Sequence, residues 1–152
     1  MSLQLTSSAF REGEKIPDRY SRRGGNCSPP LAWTGTPDGA KSLALIMDDP
    51  DAPSGTFVHW LLYRIPTAVT QIEDGMPRVG ELPNGMRQGR NGFGGVGYDG
   101  PQPPSGVHRY YFHLYALDRN LETPAGASRS DLDTIIRGHI LEETKLMGRY
   151  GK

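Results

Sequence analysis

Two stretches of this chain alternate on a period of two, and the first carries large apolar groups on both faces. In residues 57–65, Phe57, His59, Leu61, Tyr63 and Ile65 share one face, and Val58, Trp60, Leu62 and Arg64 share the other. In residues 108–117, His108, Tyr110, Phe112, Leu114 and Ala116 oppose Arg109, Tyr111, His113, Tyr115 and Leu117. A strand that is apolar on both sides belongs at the centre of a sheet covered on both faces, so the pattern predicts a layered β structure. A third apolar run, Ser42–Met47, reads as another buried strand, and Leu3–Thr6 as a short first one. The 20 glycines and 13 prolines favour many short strands and tight turns over long helices. Thr36-Pro37-Asp38-Gly39 and Asn84-Gly85 are the strongest turn signals.

One helix is expected. Ser130 serves as its cap, Asp131 and Asp133 favour its first turn, and Leu132, Ile135, Ile136 and Ile140 form an apolar stripe that weakens at Glu143. Gly148 is the expected stop, and the helix should cover one sheet. The segment Asn26–Trp33 holds Pro29 and Pro30 and must be extended, with Trp33 covering core.

Several function classes are disfavoured. Lysine plus arginine equals aspartate plus glutamate, 17 each, so no net field draws the chain to nucleic acid or an anionic membrane. No apolar run approaches a membrane span, and the first residues lack the pattern of a secretory signal, which points to the cytoplasm. Cys27 is the only cysteine, so it reads as a small apolar filler, with no internal disulfide and no thiolate metal cluster. Gly92-Phe93-Gly94-Gly95-Val96-Gly97 matches a dinucleotide-binding spacing, but Tyr98–Pro104 cannot open the helix that would hold a pyrophosphate. No cofactor is expected. A chain of 152 residues suits a single domain, 1–152.

The chemistry concentrates around Asp48-Asp49-Pro50-Asp51-Ala52-Pro53, where three carboxylates sit on a proline-stiffened turn just after a buried strand. Such a cluster is costly unless something pairs it or uses it. His59 follows shortly, and His108 with Tyr110 opens the later strand beyond a second glycine- and proline-rich loop. If the two histidine strands are neighbours, their starts and the acidic turn meet at one end of a sheet. Two imidazoles and a phenol there would donate to a small anion, with Asp49 orienting the site or meeting an amine. A Ser-His-Asp hydrolase using Ser54 or Ser105, a metal site built from the histidines and an aspartate, and purely structural ion pairing compete with that reading. No GxSxG elbow and no HExxH spacing supports the first two.

Asp49-Pro50-Asp51-Ala52-Pro53, His59-Trp60, Gly100-Pro101 and Gly106-Val107-His108-Arg109-Tyr110, in this order, resemble the phosphatidylethanolamine-binding proteins, a family that includes the Raf kinase inhibitor protein. Asn26–Trp33 and Leu114–Asp118 are similar to its short bacterial and archaeal branch. The resemblance implies an all-β-dominated, two-sheet antiparallel Greek-key β-sandwich with one C-terminal helix. It also implies a non-catalytic pocket for phosphate or phosphoethanolamine head groups. Carried over, that pocket comprises Asp49, Asp51, Pro53, His59, Gly100, Pro101, His108 and Tyr110, with no metal. A kinase or serine-protease target and a homodimer are further implications. The chain departs from animal members at Gln102, which interrupts a proline pair, and in ending soon after its helix.

Overall fold

The computed structural model describes residues 2–151. Its elements are Gln4–Thr6 (β1), Leu31–Thr34 (β2), Ser42–Asp49 (β3), Phe57–Ile65 (β4), Gln71–Ile72 (β5), Arg87–Gln88 (β6), Val107–Leu117 (β7), Arg129–Ile136 (α1) and Ile140–Gly151 (β8), with a short 3-10 turn at Asp18–Tyr20. Two antiparallel sheets result, a small one ordered β1-β2-β5 and a large one ordered β6-β4-β3-β7-β8. The sequence β7-β3-β4-β6 across the large sheet is the spatial order of a Greek key, with the β4–β6 link detouring through β5.

The core lies where the alternation requires it. Leu5, Leu31 and Trp33 of the small sheet pack against Leu45, Met47, Trp60, Leu62, Phe112 and Leu114 of the large one. The opposite face of the large sheet buries Ala44, Ile46, Leu61 and Tyr63 against Leu132 and Ile136 of α1. Each large side chain fully buried this way contributes about 1.5–3 kcal/mol. Both faces of β3 are therefore dry, and all eight of its residues are buried.

The helix is shorter than the sequence predicts, and its cap is Ser128 rather than Ser130. The Ser128 hydroxyl accepts from the Asp131 N–H at 3.1 Å while the Asp131 carboxylate accepts from Ser128 N–H, a capping box. The helix ends at Ile136, and Gly138 turns the chain in a left-handed conformation, φ +81°. The stripe's later members, Ile140 and Glu143, lie on β8, which pairs with β7 from Leu117↔Ile140 to Val107↔Gly151. The unpaired edge of an eleven-residue strand whose alternate residues are buried outweighs local helical spacing. Gly148 is no helix stop. A Cβ there would stand 2.6 Å from Ile16 Cγ1 and 2.8 Å from Phe10 Cε2, so glycine lets residues 10–16 cross β8 closely.

β4 departs from strict alternation twice. Between the Asp49–Phe57 and Leu43–Ile65 pairs it gains two residues on β3. One break leaves His59 unpaired between Met47↔Trp60 and Asp48↔Val58. The other lies near Arg64, which adopts φ +58°. Bulges of this kind bend a strand and re-aim its side chains. Ile65 consequently packs with Trp60 and Leu62 rather than with Tyr63. His59, expected beside Leu61, instead turns its ring toward Tyr110, with centroids 5.2 Å apart.

Candidate functional site

The histidine strands are not neighbours, because β3 lies between β4 and β7. Their starts nevertheless flank the end of β3, and His59 and His108 both line one cavity of about 270 Å³ beside Asp49 and Tyr110. Ala52, Pro53, Ser54 and Gly55 of the acidic turn form one wall, Phe57 and Phe93 a second, and Gln102, Pro103 and Pro104 a third.

The three acids of the turn diverge. Asp48 points to the helix face, meeting His113 Nε2 at 3.1 Å and Arg129 Nη1 at 3.0 Å. Asp49 points to the cavity side, where its Oδ2 accepts from His108 Nδ1 at 2.6 Å and its Oδ1 from the Asp51 N–H at 2.8 Å. Asp51 turns outward and accepts from Arg109 N–H, Nε and Nη2 at 2.9, 2.9 and 2.7 Å. Those Arg109 bonds lower its pKa to about 2. The cost of acids beside a buried strand is thus met by pairing, and one of the pairs serves the cavity.

Each imidazole is held by Nδ1. The Asp99 backbone carbonyl lies 2.6 Å from His59 Nδ1 and can only accept, so that nitrogen carries the proton. Burial lowers the His59 pKa, opposed by that hydrogen bond and by the Asp49, Asp99 and Asp48 charges. A neutral His59 therefore presents the lone pair of Nε2 as its remaining polar group, and His108 likewise has only Nε2 left. The Tyr110 hydroxyl is buried and makes no hydrogen bond of good geometry among the described residues, although the Asp49 carboxylate and the Gln102 main chain stand close to it. Burial, then the Asp49 charge, raises its pKa, so it stays a phenol. A buried hydroxyl of this kind, on a ring that meets His59 edge-on and His108 in a stack, is a feature that asks for a ligand.

The chain matches the phosphatidylethanolamine-binding protein family over residues 6–151. The chain belongs to that family. A UPF0098 protein of Methanothermobacter thermautotrophicus is 51% identical over 148 residues, covering 97% of this chain and 98% of the relative. Chlamydia trachomatis CT736, a crystal structure described as a homolog of the family, superposes with a TM-score of 0.91 at 40% identity, covering 99% of this chain and 98% of that one. E. coli YbcL, described as a member of the mammalian family, gives 0.92 at 31% identity, covering 100% and 99%. The two-sheet antiparallel fold is therefore that of the phosphatidylethanolamine-binding proteins.

Within this family member, five of the eight expected site residues line the cavity: Asp49, Pro53, His59, His108 and Tyr110. Asp51 braces the turn through Arg109 instead. Pro101 borders a separate cavity on the far side of Gln102–Pro104, and its carbonyl accepts from Arg22 N–H at 3.0 Å. Gly100 donates to Asn26 Oδ1 at 2.7 Å and packs so tightly that a Cβ would lie 2.0 Å from the Tyr20 carbonyl oxygen. Gly100→Ala should accordingly destabilise the fold by about 2–3 kcal/mol in urea unfolding, the cost of overpacking against backbone. A change under 0.5 kcal/mol would refute that packing role.

Sequence reasoning missed Asp99, which organises the wall behind His59. Its carboxylate accepts from Arg78 Nη2 at 3.0 and 2.9 Å, from Asn26 Nδ2 at 2.8 Å and from Asn91 Nδ2 at 2.7 Å. Burial alone would raise its pKa, but these donors hold it below the ordinary carboxylate value. Its N–H also donates to the His59 carbonyl at 3.1 Å, so Asp99 and His59 clamp each other through main chain and ring. The available signal was an acid set between two glycine-rich stretches with three arginines nearby in sequence, at 78, 87 and 90. Phe93, from the glycine-rich loop discounted as a nucleotide motif, was also missed. Asn91 Oδ1 accepts from its N–H at 2.9 Å, and Gly94 completes the turn at φ +89°.

Proposed function

We propose that this protein binds a small anion, a phosphate-bearing group, between His59 and His108 and acts as a binding module rather than an enzyme. The observation that carries the reading is the convergence of two imidazoles held by Nδ1 with the buried Tyr110 hydroxyl in one cavity. Asp49 orients His108, as a second carboxylate does for many functional histidines. Each of its oxygens already accepts one hydrogen bond, and the one from His108 makes it a positioning group for that ring.

The hydrogen bonding fixes the sign of the pH dependence. Neutral His59 offers an acceptor at Nε2, and an anion needs a donor, so binding favours the protonated ring. Affinity for sulfate, whose charge is constant in this range, should rise by up to about tenfold per pH unit between pH 8 and 6. Calorimetric titration measures it, and His108→Ala should weaken binding by at least about tenfold, the loss of a charge-assisted hydrogen bond. Equal affinity in wild type and variant, or affinity that rises with pH, would overturn the assignment.

A hydrolytic role is the second reading. Asp49 holds His108 as the acid of a catalytic triad holds its histidine, and Ser54 lines the same cavity. Turnover of simple esters that disappears in Ser54→Ala would put it in place of binding.

A further inference from the structure

The acidic turn and its cavity lie at one end of the large sheet, and the other end carries positive charge that nothing in the fold answers. Lys41 precedes β3 and Asp49 ends it, a separation of about 26 Å for an extended chain. Beside Lys41 is a second cavity of about 270 Å³, lined also by Arg64, Thr67, Asn84 and Asn120 and by no carboxylate.

Arg64 is the group that sets this end apart. Among the described residues only Asn26 and Arg64 adopt a left-handed backbone without being glycine, at φ +54° and +58°. Asparagine tolerates that region, and Asn26 uses it to hold the Asp99 carboxylate and the Gly100 N–H. Arginine is strained there, and strain of this kind persists where a side chain has a task. Glycine would adopt the same backbone without strain, as Gly85 does at φ +88° on the neighbouring wall. The break in β4 seats Ile65 with Trp60 and Leu62, the place that strict alternation gives to position 64. That keeps the side chain out of the core, but it does not account for a guanidinium.

The surroundings leave the charge unpaired. Half-buried arginines stand at 64, 87 and 129. Arg87 meets Glu81 at 3.3 Å, and Arg129 meets Asp48 and Asp133 at 3.0 and 3.1 Å. Arg64 has no carboxylate partner among the described residues, and neither has Lys41. A half-buried guanidinium without a counter-charge keeps its desolvation cost uncompensated. The neighbouring polar groups add donors rather than a negative charge. Asn84 accepts from the Met86 N–H through Oδ1 at 3.4 Å, which leaves its NH2 free to donate, and Thr67 and Asn120 bring a hydroxyl and a second amide.

We propose that this cavity is a second anion site, built for a tetrahedral oxyanion of the sulfate or phosphate type, with Arg64 and Lys41 as its charged ligands. The planar guanidinium offers parallel N–H groups to two oxygens, and Lys41 adds a point charge from the adjacent strand end. The site shares no lining residue with the histidine cavity and needs no imidazole proton, so it stands independently of the function proposed above.

Calorimetric titration of the intact protein with sulfate at pH 8.5, where protonated imidazoles no longer contribute, isolates it. Binding should persist at that pH and weaken at least about tenfold in Arg64→Gly, the loss of a charge-assisted hydrogen bond. Glycine relieves the left-handed backbone, so this variant should melt no lower than wild type. Lys41→Gln alters an exposed side chain only and should weaken sulfate several-fold. Arg137→Gln removes an exposed charge outside the cavity and should bind as wild type does. No binding at pH 8.5, wild-type affinity in both Arg64→Gly and Lys41→Gln, or an equal weakening in Arg137→Gln would each overturn the site while leaving the His59 and His108 reading standing.

Discussion

Asp49→Ala is expected to cost about 3 kcal/mol of stability and to abolish measurable sulfate binding. The substitution removes the acceptor of two donors at once, the His108 Nδ1–H and the Asp51 N–H, and His108 is only 10% exposed at its side chain. Released from Asp49, the imidazole loses the contact that sets its tautomer and its aim, and the acidic turn loses the bond that ties it to the strand end. Urea denaturation gives the first number from the midpoint at unchanged slope. Asp49→Asn separates charge from shape, because an amide oxygen can still accept while its partner NH2 cannot. That variant should lie between wild type and Asp49→Ala in stability and still fail to bind. If Asp49→Ala costs less than about 1 kcal/mol, the buried pair is not what organises the cavity.

Asp99→Ala should be more damaging still, at about 4 kcal/mol, since it strands Asn26, Asn91 and Arg78 around an empty centre. The same group gives the protein an acid limit. Asp99 and Asp48 both have folded pKa values lowered from 3.8, so each contributes stability that is present above that value and lost as pH falls through the folded one. His59 acts earlier. Its folded pKa lies below 6.5, so the unfolded chain takes up a proton first and stability declines once pH drops under about 6.5. Thermal melting followed from pH 8 to 3 should therefore show a shallow loss below 6.5 and a steeper one below about 4. A melting temperature flat from pH 8 to 5 would contradict the neutral, buried state of His59.

Much of this architecture was legible because Phe57–Ile65 carries apolar residues on both faces, and only a covered central strand tolerates that. β7 is covered on one face, and Arg109, Tyr111, His113 and Tyr115 on the other are exposed or half-buried. The site was legible through residue types rather than through geometry. His59, His108, Tyr110 and Asp49 do meet in one cavity, although the strands bearing the histidines are separated by β3. Counting by twos failed at Val58, His59 and Ile65 because pairing breaks on β4 appear only when its partner strand is known. The segment after Gly138 was read as helix for a related reason. Ile140 and Glu143 fit a helical stripe locally, and the residues of β7 that pair with them, Leu117 and Tyr115, lie far back in the sequence, before the helix. Asp99 stayed hidden because its partners come from three separate loops, at Asn26, Arg78 and Asn91.

The surplus residue at position 59 limits what engineers can transplant from this protein. Copying Phe57–Ile65 onto a regular, unkinked ribbon would restore even spacing and swing the imidazole to the wrong side, however faithfully the letters were kept. A working graft would have to bring the opposing Met47–Asp48 step along with it, because the aim of the ring is a property of two strands out of phase, owned by neither alone.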